Sequence, residues 1–254
     1  MNVDDMGEAC KIAESVEAAR KALPGAILMA RFDGRSFSAY TAKAARPYDE
    51  RIQAAMIAAT TAIVEDLRPV IAYTQSDEIS AVWVPNVGGD FPFGGKFQKI
   101  ASVGASLAAV AFTAAMDGKP AAFDGRAWQV TTPAEAFAVL CWREADATKN
   151  SVSMLARAHF SHKQLHGKTS KDMRAMLEAK GIVWGESQTH FKRGVFLRRV
   201  SEDRTLTPDE RARIPEAHRP PADATFTRSR VAVMDYPPLS KWPEASDTLL
   251  PKPN

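Results

Sequence analysis

The sequence predicts an α+β fold: a split βαβ antiparallel sheet with helices packed on it, followed by a basic helical and strand extension. Three observations predict it. Residues 26–32, AILMARF, are a short apolar run that stops at the turn dipeptide Asp33-Gly34. Residues 48–67 carry Ile52, Ala55, Met56, Ala59, Ala62 and Ile63 on one helical face, the mark of a long amphipathic helix. The runs 69–74 and 79–84 then flank a polar step, TQSDE, as an antiparallel hairpin would.

The other elements follow in order. Residues 5–22 alternate charged and apolar positions at helical spacing, and Pro24 and Gly25 end that helix. Residues 87–95, VGGDFPFGG, read as a loop, and residues 96–116 as an Ala- and Ser-rich helix stopping at Asp117-Gly118. The order strand, helix, hairpin, helix is most of a split βαβ unit with its helices on one face. AAFDGRAWQV, 121–130, supplies a fourth strand. Helices are expected over 133–160 and 169–180, and a strand over 192–200. Beyond about residue 202 the chain is rich in Pro and charge and reads as irregular, with one strand at RVAVMDY. This divides the chain into a core at 1–135, a basic helical segment at 136–201 that completes it, and a Pro-rich extension at 202–254.

A chain of 254 residues with 45% apolar and 25% charged residues has the size and composition of one large globular domain with an appendage. No uninterrupted apolar run of about 18 residues is present, so no transmembrane helix is expected. The start, MNVDDMGEACKIAE, is acidic and polar, unlike a signal peptide. Cys10 and Cys141 lack metal-ligand spacing and read as free thiols of a reducing cytoplasm. The net charge is only +3, but between Arg157 and Arg199 ten Lys and Arg stand against three Asp and Glu. That excess suits a polyanion such as nucleic acid, although a solvated helix face would look the same.

The chemistry sits at the ends of the strands. With the first strand beside the hairpin, Asp33 and Asp77 converge at one end of the sheet. Two such carboxylates and a backbone carbonyl suffice for a pair of Mg²⁺ ions about 4 Å apart, because Mg²⁺ takes few protein ligands and completes its shell with phosphate oxygens. Glu78 is expected on the opposite face of its strand, as a supporting group or an ion-pair partner. Gly34 allows close backbone approach, the amides after it can cradle phosphates if a helix opens there, and Ser36 and Ser38 add hydroxyls. A Gly turn with capping serines is the plain alternative. Lys96 and Lys99, three apart, share a helix face and suit a triphosphate.

The blocks ARFDGRSFSAY, IAYTQSDEISAVW, FQKIASVGAS, FDGRAW and CWREADATKNS, in that order between Ile27 and Arg199, resemble the tRNA-His guanylyltransferase family, and within it the bacterial and archaeal guanylyltransferase-like proteins. The resemblance implies a core like the palm of ordinary polymerases and extension of RNA in the 3′-to-5′ direction. It implies that Asp33 and Asp77 are the catalytic metal ligands and Gly34 the carbonyl ligand. Arg35, Ser36, Phe37 and Ser38 would hold the triphosphate, with Ser76 beside the second aspartate. Arg46 and Asp49 would lie near a second nucleotide, and Lys96 and Lys99 would contact triphosphate. Two Mg²⁺ ions as cofactors, ATP, GTP and other NTPs as substrates, tRNA as partner, no membrane, and a homo-oligomer (tetramer or dimer) follow from the same resemblance.

One block departs from it. Eukaryotic members continue the Trp-Arg-x-x-Asp block with His-Ile-Asn-Asn-Leu-Tyr-Asn, whereas here Thr148 stands for that histidine and most of the rest differs. The departure favours templated repair of 5′-truncated tRNA over a dedicated addition of G opposite A. A nucleotidyl cyclase with a similar palm, or an RNA-binding protein without chemistry, are the alternatives. His159, His162 and His166, at i, i+3 and i+7, read as phosphate contacts or caps on one helix face before zinc ligands. Trp142 and Trp184 read as core, and Trp128 as sheet packing.

Overall fold

The computed structural model describes residues 3–87 and 89–251. After helix α1 (Val3–Ala18) come strand β1 (Ile27–Gly34), a single helical turn α2 (Phe37–Tyr40), helix α3 (Glu50–Leu67), the hairpin β2 (Ile71–Gln75) and β3 (Glu78–Trp83), helix α4 (Phe97–Ala115) and strand β4 (Phe123–Val130). Helices α5 (Pro133–His159), α6 (His162–Leu165), α7 (Ser170–Glu178) and α8 (Thr189–Arg193) follow. Strand β5 (Val195–Thr205), helix α9 (Pro208–Ala212), strand β6 (Thr225–Met234) and helix α10 (Ala245–Leu249) complete the order.

The strands form one antiparallel sheet in the order β4-β1-β3-β2-β5-β6. Its first four positions are the order a split βαβ unit gives when a second helix and strand repeat it. Alternation along β1 decides what packs where. Leu28, Ala30 and Phe32 join Ala59, Ile63, Ile100 and Phe112 of α3 and α4 on one face. Ile27 and Met29 join Leu140 of α5 together with Leu239, Leu249 and Leu250 on the other. Helices on one face only were expected. The sheet is covered on both, which is why all six residues of β3 are buried.

α4 lies close on the sheet because Gly125 of β4 faces it; a Cβ there would stand 2.3 Å from the Ala101 carbonyl oxygen. The same helix is more apolar on average than its interrupted sequence suggests, and it packs in the core through Ile100, Ala105, Ala108 and Phe112. Its 19 residues are long and apolar enough to cross a membrane by length and composition, alone among the described helices. Its Ser, Gly and Thr residues and Lys99 interrupt the apolar run without lowering the mean much, because the remainder is mostly apolar and Ala-rich.

The tail also differs from the irregular segment expected. β5 and β6 pair over ten residues, from Phe196↔Met234 to Thr205↔Thr225, as a ribbon running past the shorter β2. Residues 239–250 then return to the core, where Leu239, Ala245, Leu249 and Leu250 are buried. Prolines at 237, 238 and 243 make this segment look like a linker in sequence, but its leucines fill the uncovered half of the sheet. Glu144 of α5 anchors it: one carboxylate oxygen accepts from the Leu239 amide at 2.8 Å, the other from Arg193 Nη1 at 2.9 Å. Arg193 in turn donates to the Tyr236 carbonyl.

Candidate active site

β1 delivers Asp33 as its penultimate residue, and Asp77 occupies the two-residue turn Ser76-Asp77 between β2 and β3. Ser76 has a left-handed backbone, φ 53°, as tight hairpin turns require. The Gly34 amide donates to the Asp77 carbonyl at 2.9 Å, tying the end of β1 to that turn. Gly34 also makes room for the chain to fold under itself: a Cβ there would meet the Phe37 ring at 2.4 Å and Asp77 Cβ at 3.0 Å. Burial raises the Asp77 pKa; its bond with Ser76 opposes this, and the Asp33 charge adds to it.

Two clefts meet at Asp77. The first, of about 380 Å³, is largely apolar, with Phe37, Met56, Ile57 and Phe191 among its walls and Ser38, Ser76 and Asp77 at its polar end. Tyr48 stacks on Phe191 at 4.6 Å between ring centres and meets His190 edge-on at 5.4 Å. Burial lowers the His190 pKa to about 4, with Glu50 opposing, and its Nε2 has no hydrogen-bond partner. A histidine that binds its proton less readily folded than unfolded costs stability below its unfolded pKa of about 6.5. Unfolding free energy measured by urea titration should therefore rise from pH 4 to about pH 6.5, and His190→Gln should flatten that slope. An unchanged slope in the variant would assign it to other groups.

The second cleft, of about 360 Å³, is polar. Asp33, Asp77 and Glu78 face Arg143, Asn150 and Arg157 of α5 across it. Glu78 does not turn to the opposite face, as the alternation from Asp77 suggested, because Asp77 belongs to the turn. Asp33 and Glu78 are register partners, with Asp124 of β4 on the other side of Asp33, so all three share one face of the sheet. Glu78 is buried and paired with Arg143, with Arg31 Nε 3.8 Å away. Its pKa is raised by burial against the pull of those two cations. Arg143 also reaches Asp146 at 3.7 Å.

The remaining expected residues divide. Phe37, Ser38, Arg46 and Ser76 line the first cleft. The Ser36, Phe37 and Ser38 amides have no acceptor among the described residues, whereas the Arg35 amide already donates to the Ala122 carbonyl at 2.8 Å. Asp49 caps α3: it accepts from the Arg51 amide at 3.0 Å, the Ala45 amide at 3.2 Å and the Arg51 guanidinium. These bonds, the Arg51 side chain first, hold its pKa far below the usual carboxylate range. Lys96 and Lys99 are exposed and line neither cleft. They begin α4 beside Lys21, while Phe112, near its other end, is the residue that packs on Phe37. The structure does not bring them to the acid pair.

The three histidines are not on one helix. α5 ends at His159, and α6 opens at His162 after its own cap, Ser161. His162 and His166 stand 6.3 Å apart between ring centres. Trp142 is 57% exposed rather than core. Trp184 donates to Ser151 Oγ and carries Arg174 over its ring at 4.0 Å. Trp128 packs on the sheet as expected. What the sequence did not single out, Arg143 with Glu78, Arg157, and Tyr48 with His190, depends on contacts between distant segments.

Among the described residues no cluster of three or more His, Cys, Asp or Glu side chains is arranged to hold a metal ion. Asp33 and Asp77 remain, two hard oxygen donors whose like charges repel. That set fits Mg²⁺, which binds through one or two carboxylates with phosphate and water oxygens, and does not fit zinc.

Asp77 between a base-sized apolar cleft and a polar one that also holds Asp33 is an arrangement suited to nucleotidyl transfer. Residues 10–131 match the family model described as tRNAHis guanylyltransferase, and over that stretch the chain is similar to that family. A bacterial tRNA(His) guanylyltransferase (Thg1)-like protein in complex with ATP is 29% identical, with TM-score 0.79, 97% of this chain and 100% of that one covered. One in complex with GTP is 27% identical, with TM-score 0.74, coverage 96% and 99%. The Saccharomyces cerevisiae tRNA(His) guanylyltransferase shares the fold at 21% identity and TM-score 0.62, covering 70% of this chain and 87% of its own. An uncharacterized protein, R259, of Acanthamoeba polyphaga mimivirus is 26% identical over 200 residues, 66% of this chain and 68% of its own.

Proposed function

We propose that the chain extends the 5′ end of tRNA in the 3′-to-5′ direction, with a template strand choosing the nucleotide. The observation that carries this is that two clefts meet at Asp77, with Asp33 beside it in the polar one, so that two phosphorylated substrates can meet at the acid pair. The ATP and GTP complexes of the bacterial relatives support a nucleotide as ligand, and the apolar cleft is where its base would fit.

In the first step an oxygen of the RNA 5′-monophosphate attacks the α-phosphorus of ATP, and pyrophosphate leaves. In the second the 3′-hydroxyl of an incoming NTP attacks the 5′-phosphorus of the adenylylated end, and AMP leaves; from a 5′-triphosphate, pyrophosphate leaves instead. Phe37, Met56 and Phe191 bury the base and exclude water from one side. The amides of Ser36, Phe37 and Ser38 and the hydroxyls of Ser38 and Ser76 stand where a triphosphate would lie. Asp33 and Asp77, with the Gly34 carbonyl, would hold Mg²⁺, which when bound neutralises charge developing on phosphate oxygens. Both steps are displacements at phosphorus, so one site serves both. We further propose a homo-oligomer, a tetramer or dimer, working in the cytoplasm, in keeping with the unpaired Cys10 and Cys141.

The block at Thr148, which lacks the eukaryotic sequence, leaves selection to base pairing. One tRNA body is compared with A or with C opposite the position to be filled. We expect G addition to be efficient only opposite C. Faster addition opposite A would return the protein to a dedicated, non-templated activity.

A further inference from the structure

The polar cleft adjoins the base cleft, sharing Gln75, Ser76, Asp77 and Met154 with it. In-line displacement puts the attacking and leaving groups on opposite sides of phosphorus. If a nucleoside triphosphate fills one cleft, the phosphate it reacts with comes from the other. That cleft holds Asp33, Asp77 and Glu78; Mg²⁺ on the two aspartates would offset their charge, and a phosphate dianion beside them is held in place by a further cation not already neutralised. Arg143 does not supply it, being paired with Glu78 and Asp146. Arg157 does. It lies about four helical turns further along the same face of α5 (143, 150, 157). It has no ion pair or hydrogen bond among the described residues, and it is exposed. Asn150 and Ser153 line the same cleft between the two arginines.

Arg157 is also the residue through which this cleft continues. It forms a wall of a neighbouring hollow with Phe160, His162 and His166. Beyond them stand Lys163, Lys168 and Lys171, all exposed. A track therefore leaves the acid pair, passes Arg157 and runs over Phe160, His162 and His166 onto the basic surface of α6 and α7, where repeated phosphates would meet cations.

We propose that the polar cleft is the seat of the 5′-terminal phosphate of the RNA and that Arg157 is its anchor, the strand leaving over His162 and His166. This rests on the tRNA-extending function proposed above. A guanidinium presents a planar fork that meets phosphate oxygens bidentately, so Arg157 should read the terminal phosphate itself and not only the charge of the backbone.

The test uses the full chain and one tRNA transcript carrying either a 5′-monophosphate or a 5′-hydroxyl, with affinity measured without ATP. The unaltered protein should prefer the phosphorylated end by about tenfold, the size of one charge-assisted contact. Arg157→Ala should abolish that preference while its ATP affinity stays unchanged, and Arg157→Lys should keep part of it. Loss of affinity for both RNA ends by one factor would make Arg157 an ordinary backbone contact and overturn the proposal. So would an unaltered protein that does not distinguish the two ends. If the unaltered protein adenylylates tRNA and Arg157→Ala still discriminates, this inference fails and the function stands. If the unaltered protein neither binds nor adenylylates tRNA, the function fails and takes the inference with it.

Discussion

Asp77→Asn and Asp33→Asn are each expected to abolish both adenylylation and nucleotide addition, by at least about a thousandfold, while the fold melts within a few degrees of the parent. Such a loss is on the scale of removing the main electrostatic support from a transition state. Asn keeps the shape and removes the charge. At Asp77 it also removes a buried carboxylate whose ionisation the fold disfavours through burial and the Asp33 charge, so Asp77→Asn should not weaken the protein. Single-turnover assays of each step on 5′-monophosphate tRNA, beside thermal melts, check both halves. If one variant kept adenylylation and lost only addition, the two steps would not share the acid pair.

Those acids were legible in the sequence because local chemistry dictates them. Asp33-Gly34 ends an apolar run, Ser76-Asp77 fills the only polar step of a hairpin, and strands that pair bring such ends together. The alternation of β1 and the stripe of α3 were visible for the same reason. What was not legible is what depends on distant partners. A glutamate at 144 in a charged helix reads as solvent-facing until Arg193, 49 residues later in sequence, closes on it. Glu78 reads as pointing away until the turn is seen to take up Asp77. Lys96 and Lys99 share a face with each other, but helical spacing does not say which end of the sheet that face reaches.

The second large effect concerns Glu144. Glu144→Ala should destabilise the fold by about 3 kcal/mol or more, since removing one partner of a buried pair leaves the other charge uncompensated. Arg193 would lose its carboxylate, and the Leu239 amide its acceptor. Urea titration gives the loss directly. A double variant, Glu144→Leu with Arg193→Met, should recover much of it, because no charge is then left buried. A loss below about 1 kcal/mol for Glu144→Ala would mean that the pair is as weak as a surface one.

The return of residues 239–250 to the sheet has a bearing on how the chain comes off the ribosome. Both aspartates, both clefts and the first four strands are synthesised before residue 200, yet Ile27, Met29, Ile71 and Val82 wait for Leu239, Leu249 and Leu250 to cover them. Until then the nascent domain carries an oily face that is a target for chaperones and for other unfinished copies. A ribosome stalled near residue 235 would therefore display nearly all of the catalytic residues on a body whose second face is covered by α5 alone, and full protease protection of such stalled chains should appear only once those leucines have emerged.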